Sequence, residues 1–245
     1  MSKMRIEVSV SPALYDFRNI HQHHTTVAID VLRATTAVCT AFEAGCCEVV
    51  PLASLDVLAA YHDKGYRLAA ERNGCKVDIR LADGSIVVAQ YGNSPTEYMR
   101  HDMTGIRLAY STTNGTVTIL RGADANTLMV GAFANLGALC ERLRKDGRDI
   151  VLLCSGWKQD FCIEDTLVAG AILESLSDVA EPYGDAAFMA LSLWHEAKND
   201  VYAYCKRCSH VQRLERLDAH EDIIFSLRQD TCHVVPILHN GTLTL

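Results

Sequence analysis

The sequence lacks any apolar run long enough to cross a membrane, and it has no cluster of basic side chains. A transmembrane helix needs about 18 or more consecutive apolar residues, and a surface that binds nucleic acid or anionic lipid is normally basic. Here 23 basic side chains stand against 30 acidic ones, a formal charge of -7 at pH 7. The first ten residues also lack the apolar core of a signal peptide. We therefore expect a cytoplasmic protein that binds neither nucleic acid nor membranes.

Cysteine is present but too sparse for a disulfide scaffold. Ten cysteines among 245 residues fall below the roughly 8–10% that marks such scaffolds, so we expect reduced thiols. Cys205 and Cys208 form a CxxC pair, but a tetrahedral zinc site needs four ligands. His210 and Cys232 are the nearest candidates for the other two. We favour free thiols beside a helix over a structural zinc site.

Short apolar segments alternate with longer helical patterns, which is typical of βαβ units around a largely parallel sheet. Residues 26–29 form one such predicted strand, and a helical pattern follows over about residues 33–44. Between about residues 75 and 91, an Asp-Gly pair predicts a hairpin outside the main sheet, and an Asn-Gly pair near residue 240 predicts another. Because no linker-like stretch interrupts the pattern, we expect a single α/β domain over residues 1–245.

Polar residues follow four of the predicted strands. Asp30, Glu71, Ser111 and Cys154 each stand where an apolar segment ends. The carboxyl ends of parallel strands lie along one edge of a sheet, and open α/β sheets bind ligands in the crevice outside that edge. We therefore expect these four side chains, although distant in sequence, to lie close together.

Two of these strand ends continue into segments rich in small and hydroxyl residues, 33–36 and 112–115. If helices begin there, their free backbone N–H groups bind a phosphate-like anion. The guanidinium groups of Arg33 and Arg72 match the geometry of phosphate and carboxylate oxygens. An ordinary turn at residues 111–116 is the simpler alternative.

Four carboxylates stand among these anion donors, namely Asp30, Glu71, Glu164 and Asp165. A bound Mg²⁺ explains them, since it typically uses one or two carboxylates together with substrate phosphate and water. Two simpler explanations stay open. Asp30 would cap the helix that follows it, and Glu164 with Asp165 would complement the dipole of a helix.

Several common catalytic motifs are absent. The sequence has no GxxxxGK[ST], no GxGxxG after a strand and no GxSxG, which excludes a P-loop, a dinucleotide-binding fingerprint and a serine-hydrolase elbow. Cys154 is followed six residues later by Asp160, where a cysteine-dependent phosphatase has arginine. Asp30 is followed by Leu32, where a haloacid-dehalogenase-type phosphatase has a second aspartate.

Six blocks of the sequence resemble, in the same order, those of the ComB family, the 2-phosphosulfolactate phosphatases of coenzyme M biosynthesis. They are AIDVLRATT at 28–36, ERNG at 71–74, GNSP at 92–95, TTNGT at 112–116, CSG at 154–156 and EDTLVAGA at 164–171. The resemblance implies a three-layer α/β/α fold with a largely parallel or mixed sheet. It also implies a Mg²⁺-dependent phosphatase that hydrolyses the phosphate monoester of 2-phospho-3-sulfolactate or of a related small phosphorylated acid.

The resemblance implies roles for the residues that match these blocks. The expected catalytic residues are Asp30, Arg33, Cys154, Glu164 and Asp165. The expected metal ligands are Asp30 and Glu71, with Glu164 and Asp165 as alternative partners of Asp30. The expected substrate-binding residues are Thr35, Arg72, Asn73, Asn93, Ser94, Thr112, Thr113, Asn114, Gly115, Ser155 and Gly156.

The chain departs from the family pattern at Gln90, Trp157 and Lys158, and the last of these is a further candidate for binding a carboxylate or sulfonate. The residues leave open whether water attacks phosphorus directly or whether Asp30 or Cys154 first takes the phosphoryl group. Two other classes of function also stay open. These are a transferase or isomerase acting on a small phosphorylated acid, and a non-catalytic protein that binds phosphorylated metabolites. A homodimer is the default expectation for assembly.

Overall fold

The computed structural model describes residues 3–15, 23–158 and 160–245. Within them the strands are β1 (Met4–Ser9), β2 (Thr25–Ile29), β3 (Glu48–Pro51), β4 (Arg67–Arg72), β5 (Cys75–Lys76), β6 (Asp78–Arg80), β7 (Ile86–Val88), β8 (Arg107–Ser111), β9 (Thr127–Gly131), β10 (Ile150–Cys154), β11 (Ala180–Pro182), β12 (Ile237–His239) and β13 (Thr242–Thr244). The α-helices are α1 (Pro12–Tyr15), α2 (Ala34–Glu43), α3 (Leu55–Ala59), α4 (Pro95–Met99), α5 (Gly115–Arg121), α6 (Leu136–Asp146), α7 (Ile163–Ser175), α8 (Asp185–Ala197), α9 (Val201–Cys205), α10 (Ser209–Glu215) and α11 (His220–Ser226).

Eleven of these strands form one mixed sheet, in the order β11-β1-β10-β2-β9-β12-β13-β3-β8-β4-β5. The group β11-β1-β10-β2-β9 is parallel throughout, and so is the group β3-β8-β4. The hairpin β12-β13 lies between the two groups and pairs antiparallel with each. Its turn is at Asn240 and Gly241, which both have positive φ, as the Asn-Gly pair predicts.

Helices cover both faces of the sheet. On one face, strand residues such as Val27 pack in a core with Leu167 of α7 and with residues of α6 and α8. On the other face, Ala28 packs in a second core with Val38 of α2 and Ile119 of α5. Alternate residues of β2 thus pack in the cores on opposite faces of the sheet, since successive strand side chains point to opposite faces. This arrangement confirms the predicted α/β class and the three-layer α/β/α fold.

The two parallel groups run in opposite directions, because three successive antiparallel pairings separate β9 from β3. The sequence predicts that these strand ends lie along one edge of the sheet. Because the two groups run in opposite directions, their ends do not share one straight edge. They meet for another reason. Helix α5 contacts both β2 and β3, and one core contains Ala28 of β2, Ala69 of β4 and Leu108 of β8. These contacts and this shared core bring the ends of β2, β4 and β8 together.

The predicted excursion at 75–91 is present as a small antiparallel pair, β6-β7, separate from the main sheet. Gly84 in its turn has a φ of 84°, a conformation that favours glycine. The single domain over residues 1–245 stays a prediction, which one cooperative unfolding transition would support. Among the described residues, no helix combines the length and the apolar composition that a membrane crossing requires.

The four zinc candidates near the C-terminus do not come together. Cys205 and Cys208 belong to the core on the α7 face, whereas Cys232 belongs to the core on the α2 face. The sulfur of Cys232 lies 4.0 Å from the hydroxyl of Thr40. The described cysteines are free thiols, and reduced thiols in the cell stay a prediction. Because Cys232 lies in a different core from Cys205 and Cys208, these residues do not form one four-ligand zinc site.

Candidate active site

A small cleft lies where the segments after β2, β4 and β8 meet the loop after β10 and helix α10. Its lining includes ten polar or aromatic side chains, and the sequence predicts seven of them as site residues. The seven are Asp30, Arg33, Glu71, Asn93, Thr112, Thr113 and Asn114, and the other three are Trp157, His210 and Arg213. The fold thus brings polar groups from distant parts of the chain to one place.

Asp30 directly follows β2 and is 6% exposed. Its Oδ1 accepts the N–H of Ala34, the first residue of α2, at 3.2 Å. The hydroxyl of Thr35 donates to its backbone carbonyl at 2.8 Å. Burial raises the pKa of Asp30 to about 6, and the charge of Glu71 adds to the rise, whereas His210 and the Ala34 N–H oppose it. Asp30 therefore both holds the start of α2 and presents a buried acid to the cleft.

Glu71, near the end of β4, is 5% exposed and accepts hydrogen bonds at both carboxylate oxygens. The N–H of Thr113 donates to Oε2 at 3.1 Å, and the Thr113 hydroxyl lies 3.1 Å from Oε2 and 3.2 Å from Oε1. The N–H of Gly74 donates to Oε1. This carboxylate therefore ties the end of β4 to the loop after β8.

Gly115 allows the loop after β8 to approach Asp30. A Cβ at this position would lie 2.2 Å from the Cβ of Ala34 and 2.7 Å from Oδ2 of Asp30, and real Cβ atoms essentially never come within 3.0 Å of such neighbours. The turn itself is closed by Thr112 and Thr116, each of whose hydroxyls accepts the other residue's N–H at 3.1 Å. Only glycine fits at 115 without displacing the carboxylate.

Arg33 is held by a buried ion pair. Its Nη1 lies 2.7 Å from Oδ2 of Asp222 in α11, and its Nη2 donates to the carbonyl of Gly74 at 2.7 Å. The other oxygen of Asp222 accepts the hydroxyls of Ser94 at 2.7 Å and Thr96 at 2.6 Å. The charge of this guanidinium is therefore already neutralised within the protein, and its place beside the cleft is fixed.

Asp165, in the first turn of α7, connects two loops around the cleft. Its Oδ1 accepts the N–H of Val31 at 2.8 Å, and its Oδ2 accepts the N–H of Gly156 at 2.9 Å. Burial raises the pKa of Asp165 well above its usual range, and the charges of Asp30 and Glu164 add to the rise. Asp30 and Asp165 are therefore two carboxylates at this end of the fold that are costly to keep ionised.

Glu164 and His210 form a buried pair beside the cleft. Nδ1 of His210 lies 2.8 Å from Oε1 of Glu164 and 3.9 Å from the sulfur of Cys162. The imidazole also stacks on Trp157, with 6.2 Å between ring centroids and 25° between planes. Among the described residues, Cys162, Glu164 and His210 are the group whose possible metal-ligating atoms all lie within 4.8 Å of one another.

Two cations lie over the ring of Trp157 at the cleft. The Nζ of Lys158 is 4.8 Å from the ring centroid, and the Cζ of Arg213 is 5.1 Å from it. Neither cationic group has a hydrogen-bond or ion-pair partner within the described part of the chain. They are therefore available to an anionic ligand, in contrast to Arg33.

A family model described as 2-phosphosulpholactate phosphatase matches residues 11–241 of this chain. The chain belongs to this family. Three proteins named probable 2-phosphosulfolactate phosphatase illustrate the likeness. That of Caldanaerobacter subterraneus subsp. tengcongensis is 33% identical over 220 residues, 88% of each chain. That of Picosynechococcus sp. is 36% identical over 218 residues, 86% of each chain. That of Thermotoga maritima is 33% identical over 221 residues, 90% of this chain and 92% of the relative.

The other residues predicted from the family blocks lie beside the cleft, outside its lining: Thr35, Arg72, Asn73, Ser94, Gly115, Cys154, Ser155, Gly156, Glu164 and Asp165. Arg72 donates to the carbonyl and hydroxyl of Ser111 at 3.1 and 2.9 Å. Asn73 is an exposed turn residue with a φ of 57°. Most members of this set support the cleft through hydrogen bonds rather than line it.

Cys154 and Ser155, at the end of β10, lie beneath the cleft. Cys154 is fully buried, and burial raises the pKa of its thiol well above the usual range, with Asp165 adding to the rise. The hydroxyl of Ser155 accepts that of Thr118 at 2.8 Å. A buried, protonated thiol is a weak nucleophile, so the catalytic role predicted for Cys154 needs a direct test.

The sequence does not predict that three further residues, His210, Arg213 and Asp222, belong to this site. All three lie on the short C-terminal helices α10 and α11, where neither a strand end nor a glycine-rich turn marks them. In the sequence, His210 stands out only as a possible zinc ligand beside Cys208. A titratable residue on a helix gives no sign in the sequence of which distant loop it faces.

Proposed function

We propose that this protein is a Mg²⁺-dependent phosphatase that hydrolyses the phosphate monoester of 2-phospho-3-sulfolactate, or of a closely related small phosphorylated acid, to the hydroxy acid and inorganic phosphate. One observation carries the proposal: two buried carboxylates, Asp30 and Glu71, converge in one cleft with the hydroxyl- and amide-rich turn at Thr113 and Asn114. The names of the relatives supply the substrate class.

The carboxylates fit a hard divalent cation. Asp30 and Glu71 offer oxygen donors alone, which is the set that Mg²⁺ prefers. The raised pKa of Asp30, caused by burial and by Glu71, indicates negative charge that the protein's own donors do not offset. Asp30 and Glu71 would hold the ion, and a bound Mg²⁺ would neutralise charge that develops on the phosphoryl oxygens.

Backbone donors alone do not suffice for this reaction. Enzymes accelerate phosphate-monoester hydrolysis by up to ~10²¹-fold, whereas a helix N-terminus contributes at most ~2 kcal/mol to holding a charge. The proposed metal supplies several kcal/mol more. A requirement for Mg²⁺ therefore follows from the size of the barrier as well as from the carboxylates.

The polar groups of the cleft divide between the two ends of the proposed substrate. The turn from Thr112 to Asn114 would bind the phosphoryl group beside Asp30. Asn93 accepts the hydroxyl of Tyr110 at its amide oxygen, and within the described residues its amide NH₂ has no partner and can donate to a ligand. Lys158 and Arg213 would bind the carboxylate and sulfonate, because their charges are unpaired among the described residues.

Direct attack by water is the route we propose for the ester. The thiol of Cys154 is enclosed and protonated, and Asp30 already binds the N–H of Ala34. Asp165 would position the loops at Val31 and Gly156, and Glu164 would orient His210 toward the cleft. If no protein-bound label forms during turnover of a ³²P-phosphorylated substrate, a phosphoenzyme is excluded.

The proposal is tested by measuring release of inorganic phosphate from a panel of phosphorylated hydroxy acids, with Mg²⁺ and with a chelator. We expect Mg²⁺-dependent release that is fastest with 2-phospho-3-sulfolactate. A transferase or isomerase would release no phosphate without an acceptor. A binding protein would saturate with the ester and leave it intact, and either result would refute the phosphatase assignment.

A further inference from the structure

Cys162, Glu164 and His210 form a compact cluster that the proposed reaction does not use as a unit. Cys162 precedes α7, Glu164 lies in its first turn, and His210 lies on α10. All three side chains are buried, yet His210 also lines the cleft. His210 therefore connects the cluster to the cleft.

One carboxylate oxygen of this cluster has no partner. Oε1 of Glu164 pairs with Nδ1 of His210, but Oε2 is buried and has no hydrogen-bond partner in the described part of the chain. A buried carboxylate oxygen without a partner costs free energy comparable to a lost hydrogen bond or more. Such an atom, next to a thiol and an imidazole, is placed to accept a cation.

The spacing of the donors suits a tetrahedral ion after a small adjustment. With metal–sulfur and metal–nitrogen bonds of about 2.3 and 2.0 Å, tetrahedral geometry places sulfur and nitrogen about 3.5 Å apart and nitrogen and oxygen about 3.4 Å apart. Here Sγ of Cys162 is 3.9 Å from Nδ1 of His210, and Nδ1 is 2.8 Å from Oε1 of Glu164. Shifts of about half an ångström would seat the ion.

The donor chemistry selects the kind of ion. One thiolate, one imidazole and one carboxylate suit Zn²⁺ and similar first-row transition metals, whereas Mg²⁺ prefers oxygen donors alone. Burial raises the pKa of Cys162, so the thiol stays protonated until a cation binds and displaces the proton.

We propose that Cys162, Glu164 and His210 form a three-ligand site for a Zn²⁺-class transition metal ion, distinct from the carboxylate pair of Asp30 and Glu71. Three protein ligands would leave a fourth coordination position for water or another ligand, as in other metal sites with one open position. Binding breaks the S–H bond of Cys162, releases that proton to solvent and forms the metal–sulfur bond. Nδ1 of His210 binds through its lone pair, so the proton of its hydrogen bond to Glu164 moves to Nε2 or to solvent.

Cobalt is the probe that tests this proposal, because a Co²⁺–thiolate bond produces a near-ultraviolet charge-transfer band. Full-length, chelator-treated protein is titrated with Co²⁺, and we expect the band to saturate at one ion per chain. Excess Zn²⁺ should abolish the band, and Mg²⁺ should leave it unchanged. The readout is optical, so it does not depend on phosphatase activity.

The variants assign the band to its ligands. Cys162→Ser should abolish it, and His210→Gln and Glu164→Gln should weaken Co²⁺ binding at least about tenfold, since each removes one ligand. A protein with Cys205→Ser and Cys208→Ser, which removes two other buried thiols, should keep the band. If Cys162→Ser does not fold, the other two ligand variants decide the question.

Three results would overturn the proposal. The first is the absence of a charge-transfer band in the wild-type protein, and the second is a band that survives in Cys162→Ser. The third is a band that disappears in the Cys205→Ser, Cys208→Ser protein, which would place the ion at the CxxC pair instead. A melting temperature that rises with Zn²⁺ in the wild type but not in His210→Gln provides an independent confirmation, because a ligand stabilises the state that binds it.

Discussion

Gly115 and Asp30 approach each other so closely that a Cβ at position 115 would lie 2.7 Å from Oδ2 of the carboxylate. The substitution Gly115→Ala must therefore displace Asp30 or Ala34. We expect it to cost about 1–3 kcal/mol of unfolding free energy through overpacking and to lower kcat/KM by about a hundredfold, as a displacement of order 1 Å does.

Gly92→Ala is the matched control for this prediction. Its added Cβ would make ordinary contacts at 3.6–3.7 Å with Glu97 and Lys76. Urea denaturation and phosphate-release kinetics on both variants make the comparison. Equal behaviour of Gly115→Ala and Gly92→Ala would show that the close approach to Asp30 does not matter.

The raised pKa of Asp30 predicts that, in the metal-free protein, this carboxyl lowers the free energy of unfolding as the pH rises. A carboxyl whose pKa is lowered on folding has the opposite effect. A carboxyl whose pKa rises from 3.8 to about 6 on folding binds protons more tightly in the folded state. Its ionisation therefore opposes folding above pH 6, by about 3 kcal/mol, and this penalty disappears as the pH falls through 6 toward 3.8. Asp30→Asn should remove the penalty while abolishing turnover.

Urea denaturation with a chelator present, at about pH 8 and about pH 4, measures this effect. We expect Asp30→Asn to be more stable than the wild type at the higher pH and nearly equal to it at the lower. Asp78→Asn, at an exposed carboxylate, serves as the control and should change little at either pH. A loss of stability in Asp30→Asn at the higher pH would show that Asp30 is not a destabilised buried acid.

The buried ion pair between Arg33 and Asp222 predicts a large effect on stability. Asp222→Ala leaves the guanidinium of Arg33 buried and unpaired, which costs about 3–5 kcal/mol. The exposed pair between Arg100 and Glu221 is the control, and Arg100→Ala should cost no more than about 1 kcal/mol. Similar denaturation midpoints for the two variants would contradict the role given to Asp222.

Cys154→Ser distinguishes direct attack of water on phosphorus from attack by the Cys154 thiol. If the thiol took the phosphoryl group, serine at this position would abolish or severely reduce turnover. Because the thiol is buried and its pKa is raised, we expect kcat to stay within about threefold of the wild type, with some loss of stability from the buried hydroxyl. A loss of kcat of about a hundredfold or more, with the fold retained, would restore Cys154 as a nucleophile.

The parts of the fold that depend on local chemistry were predictable from the sequence. The apolar segment at 26–29 corresponds to β2 at Thr25–Ile29, and the helical pattern after it corresponds to α2 at Ala34–Glu43. The Asn-Gly pair at 240–241 is a hairpin turn because these two residues adopt positive φ readily. Each of these signals lies within a few residues of the structure that it predicts.

The order of the strands was not predictable in this way. The insertion of β12-β13 between β9 and β3 depends on pairing of Ile237 with Met129 and of Leu243 with Val49, residues 108 and 194 positions apart. Pairing over such separations leaves no periodicity in the sequence. For the same reason, the sequence placed Arg33 among the anion-binding groups without its partner Asp222, which lies 189 residues later. The family blocks identify residues of the site, whereas the hydrogen bonds and ion pairs of the structure show how each of these residues is held.

We propose that Asp30 and Glu71 together hold one Mg²⁺ at the phosphoryl group. This claim is tested by titrating the rate of phosphate release with Mg²⁺. Chelated wild-type protein should release no phosphate from 2-phospho-3-sulfolactate and should recover its full rate as Mg²⁺ is added. Asp30→Asn should not recover at any Mg²⁺ concentration, and Glu71→Gln should need at least about tenfold more Mg²⁺ than the wild type. Full activity of the chelated wild type, or a wild-type Mg²⁺ dependence in both variants, would contradict the claim.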